Sequence, residues 1–180
     1  LMENSIDAGA NKITIEIKNG GKTFIKVVDN GKGMEQDDMF LSLERHATSK
    51  IKNIEDLENN YTMGFRGEAL ASIAAIANVE LVSKTKEQDV GYKIVVEAGN
   101  VLEKEEVGCQ VGTSITVNNL FFNTPVRYKF LKKDYTETGY IEDVITRIAL
   151  VNPGISFKLI NSRKNNNPNI WKWRHKKCNI

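Results

Sequence analysis

Apolar and polar residues follow recognisable periods along the first third of the chain. Residues 2–8 have the composition of a helix end, which Gly9 would close because glycine tolerates a left-handed C-cap. Ile13, Ile15 and Ile17 alternate with polar residues, and this period of two predicts a half-buried strand. Asn19-Gly20-Gly21 is a turn sequence, so residues 23–28 are predicted to return as the partner strand of a hairpin.

The rest of the chain continues as alternating helices and strands. The glycine-rich segment 29–33 breaks the second strand, and a short helix is predicted through Phe40, Leu41 and Leu43. The further predicted elements are a small-residue helix over 68–77 and strands at 79–85, 92–98 and 113–118, the last two separated by a loop opening at Gly99-Asn100. A helix follows on the spacing of Ile141, Val144, Ile145 and Ile148, stops at Asn152-Pro153-Gly154, and precedes a strand over 155–160.

This order of elements indicates the fold class. A hairpin followed by a meander, with helices between them, predicts a mixed, mostly antiparallel sheet covered by helices. The fold class is therefore an α+β sandwich and not a doubly wound parallel sheet. The 180 residues are enough for one ordinary domain that buries roughly 70% of its unfolded surface.

Charge separates the last residues from the body of the chain. Six of the 25 Lys and Arg residues follow Ser162, whereas all 23 acidic residues precede it, so the body is net acidic. Segment 163–180 has no period, and we interpret it as an atypical basic tail behind a domain over 1–162. Its interleaved Trp and Lys residues are typical of nucleic-acid contacts, or of a disordered polar tail. A third hypothesis is that the end of the chain is frame-shifted. If the segment from Lys164 is back-translated with A/T-rich codons and read one nucleotide later, the resulting sequence predicts a strand with a glycine-rich turn.

Several classes of protein are excluded by composition. No run approaches the ~20 apolar residues of a membrane span, and no secretory signal opens the chain. Cys109 and Cys178 lie too far apart for a metal-ligand spacing, which favours a reduced cytoplasmic setting. Since Leu1 lies within an apparent helix, we expect that an N-terminal segment is missing.

Two constellations near the start of the chain suggest ligand chemistry. Asn4 and Ala8 share one face of the opening helix, and an amide oxygen there would suit Mg²⁺ on a polyphosphate, although Asn near a helix end is also a common cap. The segment Asp29-Asn30-Gly31-Lys32-Gly33-Met34 offers a carboxylate for an adenine amine, glycines for close approach and a polarizable Met34, although the same residues are typical of a plain turn.

Two further constellations lie later in the chain. A predicted helix begins after Gly64, Phe65, Arg66 and Gly67. The free backbone N–H groups at its start would bind phosphates, or the segment is an ordinary loop before a helix. The segment lacks the Lys-Ser/Thr ending of a P-loop, which excludes a Walker-type site. Gly112-Thr113 begins a strand. The Thr113 hydroxyl would contact the Asp29 carboxylate or an adenine base, or Thr113 is an ordinary strand residue.

Taken in this order, the four constellations resemble the GHKL ATPase superfamily, which includes gyrase B subunits, histidine kinases and ninety-kilodalton heat-shock chaperones. Segments 44–50 (Glu-Arg-His-Ala-Thr-Ser-Lys), 64–70 (Gly-Phe-Arg-Gly-Glu-Ala-Leu) and 120–127 (Leu-Phe-Phe-Asn-Thr-Pro-Val-Arg) are similar to its mismatch-repair branch, the MutL family. The resemblance runs from Leu1 to about Ser162, and it implies a Bergerat-type sandwich with helices on one face of the sheet.

The resemblance also implies roles for residues at matching positions. Asn4 would hold Mg²⁺, Asp29 and Thr113 would read the adenine of ATP, and Ala8, Gly31, Gly33 and Met34 would line the pocket. The phosphates would be met by Thr48, Ser49 and Lys50, and covered by a lid of Gly64, Phe65, Arg66 and Gly67. Family members place the general base one helical turn before the Asn, which falls before Leu1, so no catalytic residue is assigned within the chain.

The implied function concerns the full-length protein. It would hydrolyse ATP slowly, dimerise as a clamp on DNA and act with a MutS-type mismatch sensor in the cytoplasm, at the nucleoid. The second and C-terminal domains of the family are not matched here, so we expect the isolated chain to be inactive in hydrolysis. Alternatives are a non-hydrolysing, nucleotide-gated interaction module and another GHKL ATPase such as a topoisomerase subunit.

Overall fold

The computed structural model describes residues 1–44, 69–162 and 168–173, and within these ranges eight strands form one sheet. The strands are β1 (Lys12–Lys18), β2 (Phe24–Asp29), β3 (Asn78–Lys84), β4 (Gly91–Glu97), β5 (Asn100–Val107), β6 (Gly112–Asn118), β7 (Ser156–Ser162) and β8 (Pro168–Trp173). Their order is β5-β4-β3-β6-β2-β1-β7-β8. Strands β1 and β7 are parallel and the other neighbours antiparallel, which confirms the predicted mixed sheet.

Within the described residues, four of the five helices lie at predicted positions, although their ends differ, and one helix was not predicted. The helices are α1 (Met2–Asp7), α2 (Gln36–Leu43), α3 (Ala69–Ala74), α4 (Pro125–Phe130) and α5 (Asp134–Val151), with a 3₁₀ turn at Asn19–Gly21. Helix α3 ends before the predicted residue 77, because the Ala74 and Ile76 carbonyls accept hydrogen bonds from the N–H groups of Gly99 and Phe121. In the described part of the chain, no helix is both long and apolar enough to cross a membrane.

One face of the sheet carries the hydrophobic core. Paired residues of six neighbouring strands form a fully apolar row: Leu159, Ile15, Val27, Ile115, Leu81 and Ile94. Helix α5 packs over β1, β2 and β7 through Ile145 and Ala149. Helices α2 and α3 pack over β3, β4 and β6 through Met39 and Leu70. The α+β class with helices on one face is confirmed, and the row beyond this apolar one contains the site residues.

The predicted loop between 98 and 113 is wrong, because β5 occupies most of it. Residues 100–106 are exposed and mostly charged, so this edge strand shows no alternation of apolar residues. Lys93 of β4 forms ion pairs with both Glu103 and Glu105, which holds β5 at the edge. Helix α4 also has no predicted counterpart, since none of its residues is buried and only Pro125 at its first turn marks it.

The tail contains a strand where the sequence predicts no regular element. Strand β8 pairs antiparallel with β7, with Trp171 opposite Leu159, so the interpretation of a structureless tail is wrong for these residues. Backbone hydrogen bonds to an open edge form without any apolar period in the added strand. The frame-shift hypothesis concerns the encoding DNA and stays a prediction.

Candidate functional site

Asp29 ends β2 at the point where the apolar rows of the sheet give way to polar side chains. Strand register places Asp29 opposite Thr113 of β6, and Thr113 opposite Ser83 of β3. Directly paired residues share a face of the sheet, so all three lie in one row on the helix-covered face. Thr113 is 8% exposed and Ser83 is 1% exposed, whereas Asp29 is half-buried and accessible to a ligand.

The Asp29 carboxylate is held by two hydrogen bonds from opposite sides. The Gly31 N–H group donates to Oδ1 at 2.9 Å, and the Ser5 hydroxyl of α1 donates to Oδ2 at 2.7 Å. An ionised carboxylate offers about four acceptor positions. Asp29 therefore keeps acceptor capacity on each oxygen for a donor such as an exocyclic amine, in an orientation that Ser5 and Gly31 fix.

The loop after Asp29 is packed so closely against α1 and β3 that glycine is required. The Lys32 N–H group donates to the Ala8 carbonyl at 2.9 Å. A Cβ added at Gly31 would lie 2.8 Å from the Ala8 Cβ. Gly33 has a φ of +77°, and a Cβ there would lie 2.0 Å from the Lys84 carbonyl oxygen. The backbone itself therefore forms one wall of the site.

Asn30 fastens the same loop to the start of β1. Its side-chain oxygen accepts from the N–H groups of Asn11 at 3.1 Å and Lys12 at 2.9 Å. Its amide nitrogen donates to the Asn11 side-chain oxygen at 2.8 Å. The predicted turn reading of the Asp-Asn-Gly sequence is thus correct locally, and the turn also carries the candidate ligand-binding carboxylate.

Ser83 links the far end of the loop to the neighbouring strand. Its hydroxyl oxygen accepts from the Met34 N–H group at 2.8 Å and lies 3.1 Å from the Gly112 carbonyl oxygen. The same oxygen lies 2.9 Å from the Thr113 hydroxyl, and either atom can be the donor. Met34, which packs against the apolar core, is therefore positioned through a buried hydroxyl group.

Helix α1 places Asn4 one turn before Ala8 on the face that meets the Gly31 loop. Asn4 is exposed, as a ligand of a solvated ion must be. Within the described residues no group of three or more His, Cys, Asp or Glu is placed to hold a metal. A single amide oxygen fits Mg²⁺ bound to a polyphosphate, since this ion keeps several waters and takes few protein ligands.

A family model matches residues 1–116, which include α1, the Asp29 loop, Ser83 and Thr113. It describes the histidine kinase-, DNA gyrase B- and HSP90-like ATPases. The chain belongs to this ATPase family. The expected α+β sandwich of the GHKL superfamily is therefore confirmed both by the match and by the observed sheet.

Within the ATPase family, the chain is similar to MutL proteins, as the sequence motifs indicate. It is 56% identical over 164 residues to the DNA mismatch repair protein MutL of Caldanaerobacter subterraneus subsp. tengcongensis, covering 91% of this chain and 28% of that protein. It is 54% identical to the MutL protein of Thermoanaerobacter pseudethanolicus, covering 91% of this chain and 27% of that protein. The chain thus spans about a quarter of the length of these relatives.

A solved structure gives the same answer at the level of the fold. The Aquifex aeolicus MutL ATPase domain complexed with ADP superposes with a TM-score of 0.74 at 35% identity. The match covers 98% of this chain and 61% of the solved chain. The architecture described above is therefore that of an ATPase domain whose relative has been seen with an adenine nucleotide.

The structure brings together the predicted site residues that it describes. Those that meet around the end of β2 are Ala8, Asp29, Gly31, Gly33, Met34 and Thr113, and Asn4 lies one turn before Ala8 on α1. The predicted phosphate contacts Thr48, Ser49 and Lys50, and the predicted lid residues Gly64, Phe65, Arg66 and Gly67, lie outside the described residues.

Two residues of the site are not predicted from the sequence. Ser83 carries a signal that identifies it, because it follows Val79 and Leu81 at the period of two and is a polar residue at an inward position. Ser5 carries no comparable signal, since α1 is too short for a clear apolar stripe. Its contact with Asp29 spans 24 positions and appears only when α1 packs beside β2.

A cavity in the described part of the molecule lies away from Asp29. It has a volume of about 410 Å³ and lies between α5, the start of α1 and the inner residues of β1 and β2. Its walls are mainly aliphatic, including Ile15, Val27 and Ile148, and Asp29 does not line it. The cavity lacks the convergent polar groups that a nucleotide needs. The hydrogen-bonded row at Asp29, and not this cavity, is the candidate site.

Proposed function

We propose that the chain binds ATP at the end of β2, with Asp29 and Thr113 reading the adenine. The observation that carries the proposal is the pairing of an anchored carboxylate with a buried hydroxyl in one row of the sheet. Asp29 accepts from the exocyclic amine, and Thr113 contacts the adjoining ring edge. Ala8 and Met34 line the pocket, while Gly31 and Gly33 allow the base to approach the backbone.

The phosphates extend from the adenine towards α1 in this proposal. Asn4 supplies an oxygen ligand to Mg²⁺, which neutralises phosphate charge when it is bound. Thr48, Ser49 and Lys50 contact the phosphates, and Gly64, Phe65, Arg66 and Gly67 form the lid that closes over them. The lid sequence directly precedes the described start of α3, and free N–H groups at a helix start favour phosphate binding.

The wider role follows from the similarity to MutL proteins. We propose that the full-length protein acts in DNA mismatch repair and hydrolyses ATP slowly. ATP orders the lid and dimerises the N-terminal regions into a clamp on DNA, an order–disorder switch driven by phosphate contacts. A MutS-type mismatch sensor recruits it, in the cytoplasm at the nucleoid. High identity to proteins named MutL weighs against a topoisomerase subunit.

In our proposal, Glu3 of α1 does not activate water beside Asn4. Glu3 neighbours Asn4 in sequence and therefore projects about 100° away around the helix. We propose that the chain binds nucleotide without turning it over. A second candidate function, a nucleotide-gated docking module, shares this site and differs only in whether hydrolysis matters to the full-length protein.

Substituting Asp29→Asn tests the proposal with little change of shape. The amide replaces one acceptor oxygen by a donor, which opposes an adenine amine instead of accepting from it. We expect ADP affinity, measured by titration calorimetry with Mg²⁺, to fall about 10- to 100-fold, as for a lost charge-assisted hydrogen bond. Asp143→Asn is the matched control, because Asp143 forms an exposed ion pair with Arg147 on α5.

The two variants together decide the proposal. Asp143→Asn should bind ADP like the unmodified chain, within about twofold, because surface ion pairs contribute little. Equal affinity of the Asp29→Asn variant and the unmodified chain would show that the adenine lies elsewhere.

A further inference from the structure

The buried Ser83 hydroxyl group can donate its proton to either of two acceptors. A serine hydroxyl has one donor and two acceptor positions. The Met34 N–H group fills one acceptor position at 2.8 Å. The Ser83 proton can then point to the Gly112 carbonyl, 3.1 Å away, or to the Thr113 hydroxyl, 2.9 Å away.

The direction of the Ser83 hydrogen bond determines whether the Thr113 hydroxyl is a donor or an acceptor towards a ligand. If Ser83 donates to Gly112, Thr113 donates to Ser83 and presents only acceptor positions to a ligand. If Ser83 donates to Thr113, the Thr113 proton is released and Thr113 becomes a donor towards the ligand. Because both residues are more than nine-tenths buried, few other partners compete for these protons.

A donor and an acceptor at Thr113 are complementary to different bases. Adenine presents an amine donor beside ring-nitrogen acceptors, whereas guanine presents a carbonyl acceptor in place of the amine. An acceptor at Asp29 next to a donor at Thr113 is complementary to the adenine pattern. Guanine would set its carbonyl against the Asp29 carboxylate and is best tolerated when Thr113 can reorient freely.

We propose that Ser83 is a positioning residue that directs the Thr113 hydroxyl and thereby sets the preference for adenine over guanine. The inference rests on the proposed nucleotide-binding function and adds a specificity determinant to the same site. Ser83 does not touch the base. It acts on the base through the Thr113 hydroxyl.

The test compares ADP and GDP binding to the isolated chain by titration calorimetry with Mg²⁺. Both nucleotides bind the same folded molecules, so the ratio of their Kd values does not depend on how much of a variant is folded. A purely structural role of Ser83 would therefore leave this ratio unchanged. We expect Ser83→Ala to lower the preference for ADP about fivefold, as for one lost hydrogen bond.

Two further variants make the result specific. Thr116→Val is the matched control, because Thr116 is also a buried β6 hydroxyl but pairs with Lys26 and Glu80 on the opposite face of the sheet. It should leave the preference unchanged. In a Thr113→Val background, Ser83→Ala should cause no additional loss, because the hydroxyl that Ser83 directs is already gone.

The outcomes separate this inference from the function on which it rests. If the unmodified chain prefers ADP and Asp29→Asn weakens ADP binding as expected, but Ser83→Ala keeps the full preference, Ser83 has no positioning role and the function stands. If the unmodified chain binds neither nucleotide, the proposed function itself fails. Ser83→Cys, which keeps the volume with a weak donor, replaces Ser83→Ala if the latter does not fold. Misfolding of both would assign Ser83 to stability and overturn the proposal.

Discussion

Single glycines allow the loop after Asp29 to pack against its neighbours. Gly33 and Gly99 both adopt left-handed backbone conformations, with φ of +77° and +83°. Their surroundings differ completely, because a Cβ at Gly33 would meet the Lys84 carbonyl oxygen, whereas a Cβ at Gly99 meets nothing within 4 Å. The pair therefore separates the cost of backbone conformation from the cost of close packing.

We expect Gly33→Ala to destabilise the protein far more than Gly99→Ala. Both variants pay for a left-handed alanine, about 1 kcal/mol, and Gly33→Ala adds a steric overlap worth roughly 1–3 kcal/mol. The free energy of unfolding from urea titration measures both losses. Similar losses for the two variants would mean that the loop does not pack against β3 as described.

Among the elements, β8 lies at one edge of the sheet, away from the strand that carries Asp29. It pairs only with β7, and the order of the sheet places β7 and β1 between it and β2, which carries Asp29. At about 4.8 Å per strand, β8 lies some 14 Å from the candidate carboxylate. Its contribution should therefore be to stability and not to nucleotide binding.

Removing residues 163–180 tests this separation. We expect the chain ending at Ser162 to keep its ADP affinity within about twofold, since β7 and β1 separate β8 from the strand that carries Asp29, and to unfold at a lower temperature. Calorimetric titration and thermal unfolding give the two quantities. Loss of ADP binding in a folded truncated chain would contradict the assignment of the domain to 1–162. Sequencing of the encoding DNA independently tests the frame-shift hypothesis, which an intact frame through Lys164 would end.

For the molecule as a whole, binding and hydrolysis are expected to be separable. By our proposal, the isolated chain contains an adenine-reading row but no general base beside Asn4. We therefore expect phosphate release from ATP to stay at the background rate while ADP binds, and steady-state phosphate assays measure this directly. Turnover that Glu3→Gln abolishes would instead make Glu3 the base and refute the proposal.

The same reasoning extends to the full-length protein. If a full-length variant that no longer hydrolyses ATP keeps mismatch repair intact, the protein is a nucleotide-gated docking module. If repair is lost together with hydrolysis, turnover is part of the switch.

Helices and strands that bury apolar residues were predictable from the sequence, whereas exposed ones were not. Strand β1 alternates between buried isoleucines and half-exposed polar residues, so its position follows from the sequence alone. Strand β5 and helix α4 bury almost nothing, and elements that do not take part in the core have no apolar period to detect. The boundary of α3 depends on hydrogen bonds from Gly99 and Phe121, which are distant in sequence.

The sequence by itself determined the alternating core, the glycine loop, the family resemblance and most candidate ligand residues, because each is a local order of residue types. Only the tertiary structure placed Ser5 against Asp29 and Ser83 between Met34 and Thr113. These contacts join segments 24 to 49 positions apart. A lone serine does not specify its partner, since its hydroxyl bonds to whichever group the packing of helix and sheet brings within reach.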